Sequence, residues 1–201
     1  MKSYIAFAAI GLGSLIMAFT PADEKETLTI KPAASTIQWH AEKITGSHEG
    51  TVTLKSGNIV IERNAVVGGH FIIGMSTIKV TDISGNGAAK LEGHLNSADF
   101  FNTKEFSSAE FKIEKVVNKK TEEFNSEVSG TLTIKGISHP ITFPAKVEVM
   151  DGKFAAYGEM KIDRTKYDVK YGSANFFDNI GDKAIYDEFT LKVSIGASNL
   201  N

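Results

Sequence analysis

The chain has 201 residues, of which 42% are apolar and 23% are charged, with a formal net charge of -2. This length suits one domain with a sizeable core, and the balanced charge, without a run of five like charges, excludes a nucleic-acid-binding stripe or a polybasic membrane patch. The absence of cysteine excludes disulfides, thiolate metal sites, a cysteine nucleophile and a cysteine-linked lipid anchor.

The first residues follow the order of a secretory signal. Lys2 precedes an apolar run from Tyr4 to Phe19, after which small residues and then charged residues follow. We therefore predict a signal peptide over residues 1–22, export to the periplasm, and a mature domain over residues 23–201. The alternative is an uncleaved membrane anchor, but that would need about 20 apolar residues, and this run is shorter.

From Leu28 onward, apolar and polar residues alternate with a period of two, which predicts half-buried strands. These segments contain Ile37-Trp39, Val52-Leu54, Ile59-Ile61, Phe71-Ile73, Ile78-Val80, Phe111-Ile113, Leu132-Ile134, Ile141-Phe143, Met160-Ile162 and Phe189-Ile195. Turns are predicted at residues 56–58, 84–87 and 151–152, which are rich in Gly, Asn, Ser and Asp.

The segment LEGHLNSADFFN, residues 91–102, interrupts this alternation. Leu91, Leu95 and Ala98 recur at helical spacing and lead to Phe100 and Phe101. We predict a short helix here that covers the end or side of the β structure. Its phenylalanines would either face a cavity or plug the core.

At least eight strands in one chain predict an antiparallel sandwich or barrel. A barrel is favoured because closure removes exposed edges, and eight strands enclose an interior that side chains fill or that holds one ligand. Ala156 and Gly158 are small residues on one face of a strand and would leave room inside. The glycine could instead mark a bulge, and Gly68-Gly69 could similarly kink a strand over a rim.

Large residues at inward positions are the candidates for the lining of such an interior. A register error of one residue would turn any of them outward. The candidates are Trp39, Phe71, Leu95, Phe100, Phe101, Phe111, Phe143, Met160 and Phe189.

The polar residues show no clear catalytic or metal-binding pattern. The five histidines lack the spacing of a zinc site. Ser47-His48-Glu49 are sequence neighbours, whereas catalytic triads assemble from separate segments, and the G-x-S-x-G motif is absent. We therefore predict no metal, no cofactor and no enzymatic activity, and we interpret Asp163-Arg164 as a solvated or interstrand pair.

Four segments of the chain carry a combined pattern: STIQWHAEKITGSHEGTV (35–52), LEGHLNSADFFNTKEFSSAEF (91–111), SGTLTIKGISHPITFPA (129–145) and IDRTKYDVKYG (162–172), with Ile180-Gly181-Asp182 following. In this order they resemble the YceI-like family of exported polyisoprenoid-binding proteins. The resemblance covers essentially the whole chain after the signal. It implies a lipocalin-like antiparallel barrel with a short helical segment that encloses an apolar tunnel for a long isoprenoid or acyl chain.

The resulting expectation is a periplasmic carrier of an isoprenoid-type lipid that performs no catalysis. His94 lies beside the predicted aromatics and could contact the lipid head group, or could instead bond to a neighbouring loop carbonyl. The alternative function is a filled-barrel, stress-related protein that acts through surface contacts with other proteins. Apolar residues around a tunnel mouth would favour a homodimer that shields them.

Overall fold

The computed structural model describes residues 24–150 and 152–198. The strands are β1 (Glu26–Thr29), β2 (Thr36–Lys43), β3 (Gly46–Glu62), β4 (Ala65–Val80), β5 (Ser108–Asn118), β6 (Ser126–Ile134), β7 (Ile137–Met150), β8 (Lys153–Asp163) and β9 (Ile185–Ser198), the helix is α1 (Gly85–Asn96), and 3₁₀ turns span Pro32–Ala34, Arg164–Tyr167 and Gly181–Lys183. The predicted signal peptide, residues 1–22, lies outside the described residues. Within the described ranges, no helix is long and apolar enough to cross a membrane.

The strands form one closed antiparallel sheet. Their order is β3-β2-β9-β8-β7-β6-β5-β4, and pairing of β4 with β3 closes the sheet into an eight-stranded barrel. β1 and β2 pair with the same edge of β3, β2 along its N-terminal half and β1 along its C-terminal half. After β1, Ile30 forms a bridge with Ala197 of β9. The predicted all-β fold, a lipocalin-like eight-stranded antiparallel barrel with a short helix, is confirmed.

β3 and β4 are longer than the sequence predicted. The predicted turn at residues 56–58 is wrong, because β3 runs through it for 17 residues. A Cβ atom on Gly57 would lie 3.0 Å from the Phe71 ring, so this glycine permits a close contact inside the barrel wall. At about 3.3 Å per residue, such a strand spans roughly 55 Å, which makes the barrel deep.

The helix begins and ends earlier than residues 91–102. The predicted turn at residues 84–87 is wrong, since Gly85 begins α1, and the helix ends at Asn96. The Ser97 amide and hydroxyl both donate to the His94 carbonyl, at 3.0 and 2.7 Å, which ends the helical hydrogen-bond pattern. Phe100 and Phe101 therefore lie in the following turn, where Phe101 N donates to the Leu95 carbonyl at 3.1 Å.

The two glycine features that the sequence left open are resolved differently. β8 pairs with β7 and β9 without a register shift, so Gly158 does not mark a bulge. Gly68-Gly69 lie beside a register shift in the β3–β4 pairing, where Val60 faces Gly68 and Ile61 faces Val66. A bulge thus occurs next to the paired glycines, near the hairpin at one end of the barrel.

The two ends of the barrel differ. One end contains β1 and the β3–β4 and β7–β8 hairpins, and it is filled by Leu28, Ile30 and Ile59, each at most 2% exposed. The other end contains the β2–β3 hairpin, α1 with its turn, and the long connection of residues 164–184 between β8 and β9. We call these the filled end and the mouth end.

Replacement of glycine by alanine is expected to change the free energy of unfolding in opposite directions at two positions. Gly130→Ala should destabilise the protein by about 2 kcal/mol or more, because its Cβ would lie 2.2 Å from the Lys112 carbonyl oxygen and 2.8 Å from the Phe111 ring. Gly93→Ala, in α1 with nothing within 4 Å of the added Cβ, should stabilise by roughly 0.5 to 1 kcal/mol. Urea titrations of both variants measure this, and equal effects would contradict the packing described for Gly130.

Candidate functional site

The interior of the barrel contains an elongated apolar cavity. Its volume is about 190 Å³. Side chains from β2 to β9, from the end of α1 and from the turn after it form its wall, and almost all of them are apolar. A cavity with such walls excludes water and favours an apolar occupant.

All nine residues that the sequence analysis proposed for a lining lie on the wall of this cavity. They are Trp39, Phe71, Leu95, Phe100, Phe101, Phe111, Phe143, Met160 and Phe189. Strand alternation explains the six strand residues, because every second side chain of a barrel strand points inward. That these residues contact a lipid stays a prediction.

The turn after α1 closes part of the mouth end. Leu95, near the end of α1, and Phe100 and Phe101, in this turn, all line the cavity, and Phe100 is 7% exposed. The Phe100 and Phe101 rings meet edge to face at 5.1 Å between centroids, and Phe101 meets Phe189 of β9 at 6.5 Å. The aromatic cluster therefore joins the turn to the far wall of the barrel.

Small residues of β8 provide space on the wall. Ala156 and Gly158 both face the cavity, next to Ala145 of β7. A Cβ on Gly158 would lie 3.0 Å from the Phe143 ring, so the glycine gives room to that ring, while Ala156 borders open space. The prediction that small residues of β8 leave room inside the barrel agrees with the cavity, whereas an interior completely filled by side chains does not.

Arg164 is the functional-site residue that sequence reasoning missed. The interpretation of Asp163-Arg164 as a solvated or interstrand pair is wrong for the arginine, which is 2% exposed and borders the cavity. Its guanidinium lies 5.7 Å from the centroid of the Phe100 ring. Asp163 instead caps the following 3₁₀ turn by accepting hydrogen bonds from the Thr165 amide and hydroxyl.

The guanidinium joins both ends of the connection between β8 and β9. Nη1 donates to the carbonyls of Val169 and Tyr171 at 2.8 Å each, and Nε donates to Tyr186 O at 3.1 Å. Nη2 donates to the Ile185 carbonyl at 3.0 Å and to an Asp187 carboxylate oxygen at 3.3 Å. Nothing in the local sequence signals this role, since its acceptors are backbone carbonyls up to 22 residues away.

Arg164 is therefore a buried charge with every donor occupied. Burial lowers the pKa of its guanidinium, and the carboxylates of Asp187 and Asp163 oppose that shift. Arginine remains protonated in proteins at ordinary pH, so the cation persists at the cavity wall. Because its five N–H groups already have acceptors, it shapes the mouth and has no donor left for a ligand.

Polar groups are scarce on the rest of the wall. The indole Nε1 of Trp39 is buried and lacks a hydrogen-bond partner, the single such side-chain atom among the described residues. The Trp39 ring packs over Gly50, where a Cβ would lie 2.7 Å from its Cε2 atom. A buried N–H without an acceptor costs about 1 to 3 kcal/mol, so close packing of this ring outweighs hydrogen bonding here.

His94 lies beside the cavity and is not part of its wall. Its ring packs edge to face with Tyr171 at 4.4 Å and Phe100 at 5.5 Å between centroids. Within the part of the chain that the structure describes, the ring forms no hydrogen bond, so the alternative bond to a loop carbonyl is not seen. A contact between His94 and a head group at the mouth stays a prediction.

The other candidate polar groups are dispersed over the outer surface. His48 Nδ1 lies 2.8 Å from an Asp82 carboxylate oxygen, and alternation along β3 places Ser47 and Glu49 on the opposite face from His48. The pKa of Asp82 lies below its usual value, because burial raises it but the hydrogen bonds from His48 and the Glu49 amide together lower it by more. Among residues 24–150 and 152–198, no cluster of three or more His, Asp or Glu side chains could hold a metal ion.

The sequence of the chain matches a known protein family and curated relatives. The sequence pattern that defines the YceI-like domain family matches residues 28–197. Protein YceI of Escherichia coli is 32% identical over 100 residues, an alignment that covers 47% of this chain and 50% of that protein. The chain thus spans about half the length of the curated relatives that it matches.

Two solved structures share the barrel. BcnA of Burkholderia cenocepacia superposes with a TM-score of 0.62 at 18% identity, over 84% of this chain and 99% of the other. A protein described as a polyisoprenoid binding domain from Saccharophagus degradans, implicated in plant cell wall breakdown, gives a TM-score of 0.60 at 14% identity, over 86% and 98%. At these identities the likeness shows the fold alone.

Arg164→Met should destabilise the protein by about 3 kcal/mol or more, because several buried carbonyls and Asp187 would lose their donor. It should also speed hydrogen exchange of the Ile185 amide, which donates to the Gly172 carbonyl at 2.8 Å. Lys161→Met, on the exposed face of β8, is the control and should change stability by about 0.5 kcal/mol or less. A small effect at Arg164 in urea titrations would show that its hydrogen bonds do not hold the mouth together.

Proposed function

Because this chain belongs to the YceI-like domain family, we propose that it binds a long isoprenoid-type or similar acyl chain inside its barrel and carries no catalytic activity. The observation that supports this most is the elongated cavity with an almost wholly apolar wall. The polyisoprenoid-binding description of the Saccharophagus degradans neighbour agrees with such a ligand.

The physical chemistry of the cavity suits a chain without a strongly bound head group. Burial of apolar surface contributes about 0.8 kcal/mol per CH₂ group, so about ten buried carbons give roughly 8 kcal/mol. That value corresponds to micromolar affinity before the costs of association are subtracted. Since the wall offers hardly any hydrogen-bonding group, the length and shape of the chain would decide which lipid is held.

The absence of catalysis is part of this proposal. The wall of the tunnel has no carboxylate, histidine, serine or lysine among the described residues, its one cation has every donor occupied, and its two tyrosines, Tyr157 and Tyr186, have no base beside them on the wall. General acid–base or nucleophilic chemistry needs such a group within hydrogen-bond reach of the reacting atom. A lipid inside the barrel would therefore be held unchanged.

The proposed setting is the periplasm, after removal of residues 1–22. The signal-like order of the first residues supports export. The homodimer that the sequence predicts at the tunnel mouth is a separate prediction, and sedimentation velocity of the exported protein tests it.

Native mass spectrometry of the exported protein, followed by organic extraction, tests the proposed function directly. A stoichiometric adduct that yields a polyprenyl or long acyl chain on extraction is the expected result. A clean apo mass, together with no uptake of an added C40 to C55 polyprenol, would count against lipid carriage and favour a protein that acts through its outer surface.

A matched pair of neighbouring alanines tests whether the lipid lies in the tunnel. Ala156→Phe should fill space on the wall and lower the amount of extracted lipid at least tenfold, because the ring would occupy volume needed by the chain. Ala155→Phe places the same ring on the outer face, where Ala155 is exposed, and should leave the lipid content unchanged. Equal lipid content in both variants would place the ligand elsewhere.

A further inference from the structure

The position of one side chain shows where the tunnel opens to solvent. Among the described residues that line the cavity, Tyr186 alone is also exposed, at 51% of its surface, and all the others are buried or half-buried. The cavity therefore reaches the outside next to Tyr186, at the end of the barrel where residues 164–184 connect β8 to β9.

Exposed aromatic side chains lie on the connection that ends at this opening. Tyr171, Phe176, Phe177 and Tyr186 are between 46% and 51% exposed, and we call them the collar. Phe176 and Phe177 are the two exposed phenylalanines within the described part of the chain. Ile44, at the tip of the β2–β3 hairpin, is 51% exposed and adjoins the collar, because its amide donates to the Ala184 carbonyl at 3.2 Å.

The collar is built on an ordered backbone. Arg164 binds the carbonyls of Tyr171 and Tyr186, and the amides of Phe176 and Phe177 both donate to the carbonyl of the fully buried Ser173 at 3.1 Å. Asn175 Nδ2 ties the same loop to Asp187 at 2.6 Å. The loop thus exposes Tyr171, Phe176 and Phe177 on a backbone fixed by hydrogen bonds, next to Tyr186 at the start of β9.

The charges around the collar are balanced. Residues 164–187 carry four basic and four acidic side chains, and Lys170 Nζ lies 5.2 Å from the centroid of the Phe176 ring and 2.8 Å from an Asp168 oxygen. Lysine next to exposed aromatic rings is typical of surfaces that sit at the membrane–water interface. Without a net charge, however, attachment there would come from burial of the rings and not from attraction to anionic lipids.

We infer that the collar docks the tunnel mouth on a lipid bilayer surface, so that a lipid chain passes between the membrane and the tunnel without crossing water. This inference rests on the proposed function. It follows from continuity: Tyr186 belongs both to the tunnel wall and to the exposed surface. Aromatic side chains at the head-group level would place the opening where isoprenoid chains are available.

The size of the collar favours a bilayer over a second copy of the chain. A half-exposed aromatic residue leaves about 100 Å² to bury, so the four rings offer about 400 Å² per copy. A standard protein–protein interface needs about 800 Å² per partner. Shallow insertion of a few rings into a membrane interface has no such requirement.

Vesicle flotation of the exported protein tests the inference, with intact mass establishing that residues 1–22 are absent, since that apolar segment would bind vesicles by itself. The vesicles are phosphatidylcholine alone and phosphatidylethanolamine with phosphatidylglycerol at 3:1. The native protein should bind both compositions with similar affinity in 0.1 and 0.5 M NaCl. Binding that needs phosphatidylglycerol and is lost in high salt would overturn docking through the collar.

Three variants locate the contact. Phe176→Ser with Phe177→Ser should weaken vesicle binding at least tenfold, whereas Phe176→Trp with Phe177→Trp should retain it. Met150→Ser removes a large apolar side chain that is more exposed than any other in the described part of the chain, at the filled end of the barrel, and should bind like the native protein. Unchanged binding of the double serine variant would overturn the inference.

Two further readouts separate this inference from the proposed function. The double serine variant should keep its extracted lipid and its urea midpoint, because both rings lie outside the tunnel wall. If the native protein carries lipid but does not bind vesicles, docking is refuted and the proposal of lipid carriage stands. If the native protein contains no lipid, lipid carriage is refuted. A dimer that the double serine substitution dissociates would show that the collar binds a second copy and not a bilayer.

Discussion

The pairing of β3 with β4 is the constraint on which the cavity depends, because it closes the sheet. A closed sheet has no edge, so the backbone N–H and C=O groups of each strand are engaged by its two neighbours. The interior then presents side chains only. A barrel of this kind can enclose an apolar space without leaving backbone polar groups in contact with it.

Closure of the sheet does not by itself shape the mouth. β8 and β9 are joined there by residues 164–184, which contain little regular structure, so the carbonyls of this segment need other partners. Arg164, at the start of the connection, supplies these hydrogen-bond donors. The five N–H groups of its planar guanidinium reach acceptors at both ends of the connection. A buried cation is costly unless it is fully paired, and the acceptors around this one meet that requirement.

The wall and the mouth of the cavity suit two different steps, retention of a chain and its transfer. The wall offers apolar contact and almost no hydrogen bonding, so it would retain a chain by its length. The mouth combines an ordered loop with exposed rings, which suits transfer of an insoluble ligand better than its permanent storage. Both features use the same aromatic residue types, packed inward by the turn after α1 and outward by the loop that Arg164 holds.

Local pattern alone predicted much of the protein. Alternation with a period of two indicated the strands and placed Trp39, Phe111 and Phe189 on the inward face, because alternation follows from strand geometry regardless of the partner strand. Helical spacing located a helix but not its bounds: the bonds that end it come from Ser97, a residue type that fits many local structures.

The features that local patterns missed depend on contacts between residues far apart in sequence. Gly57 resembles a turn residue, yet contact with Phe71 keeps it inside a strand. Arg164 resembles a surface charge, yet carbonyls up to 22 residues away bury it. A β protein with an apolar interior follows from the sequence alone, since strand alternation and side-chain hydropathy are local properties. Whether that interior is hollow, and where it opens, was decided by how those distant residues pack.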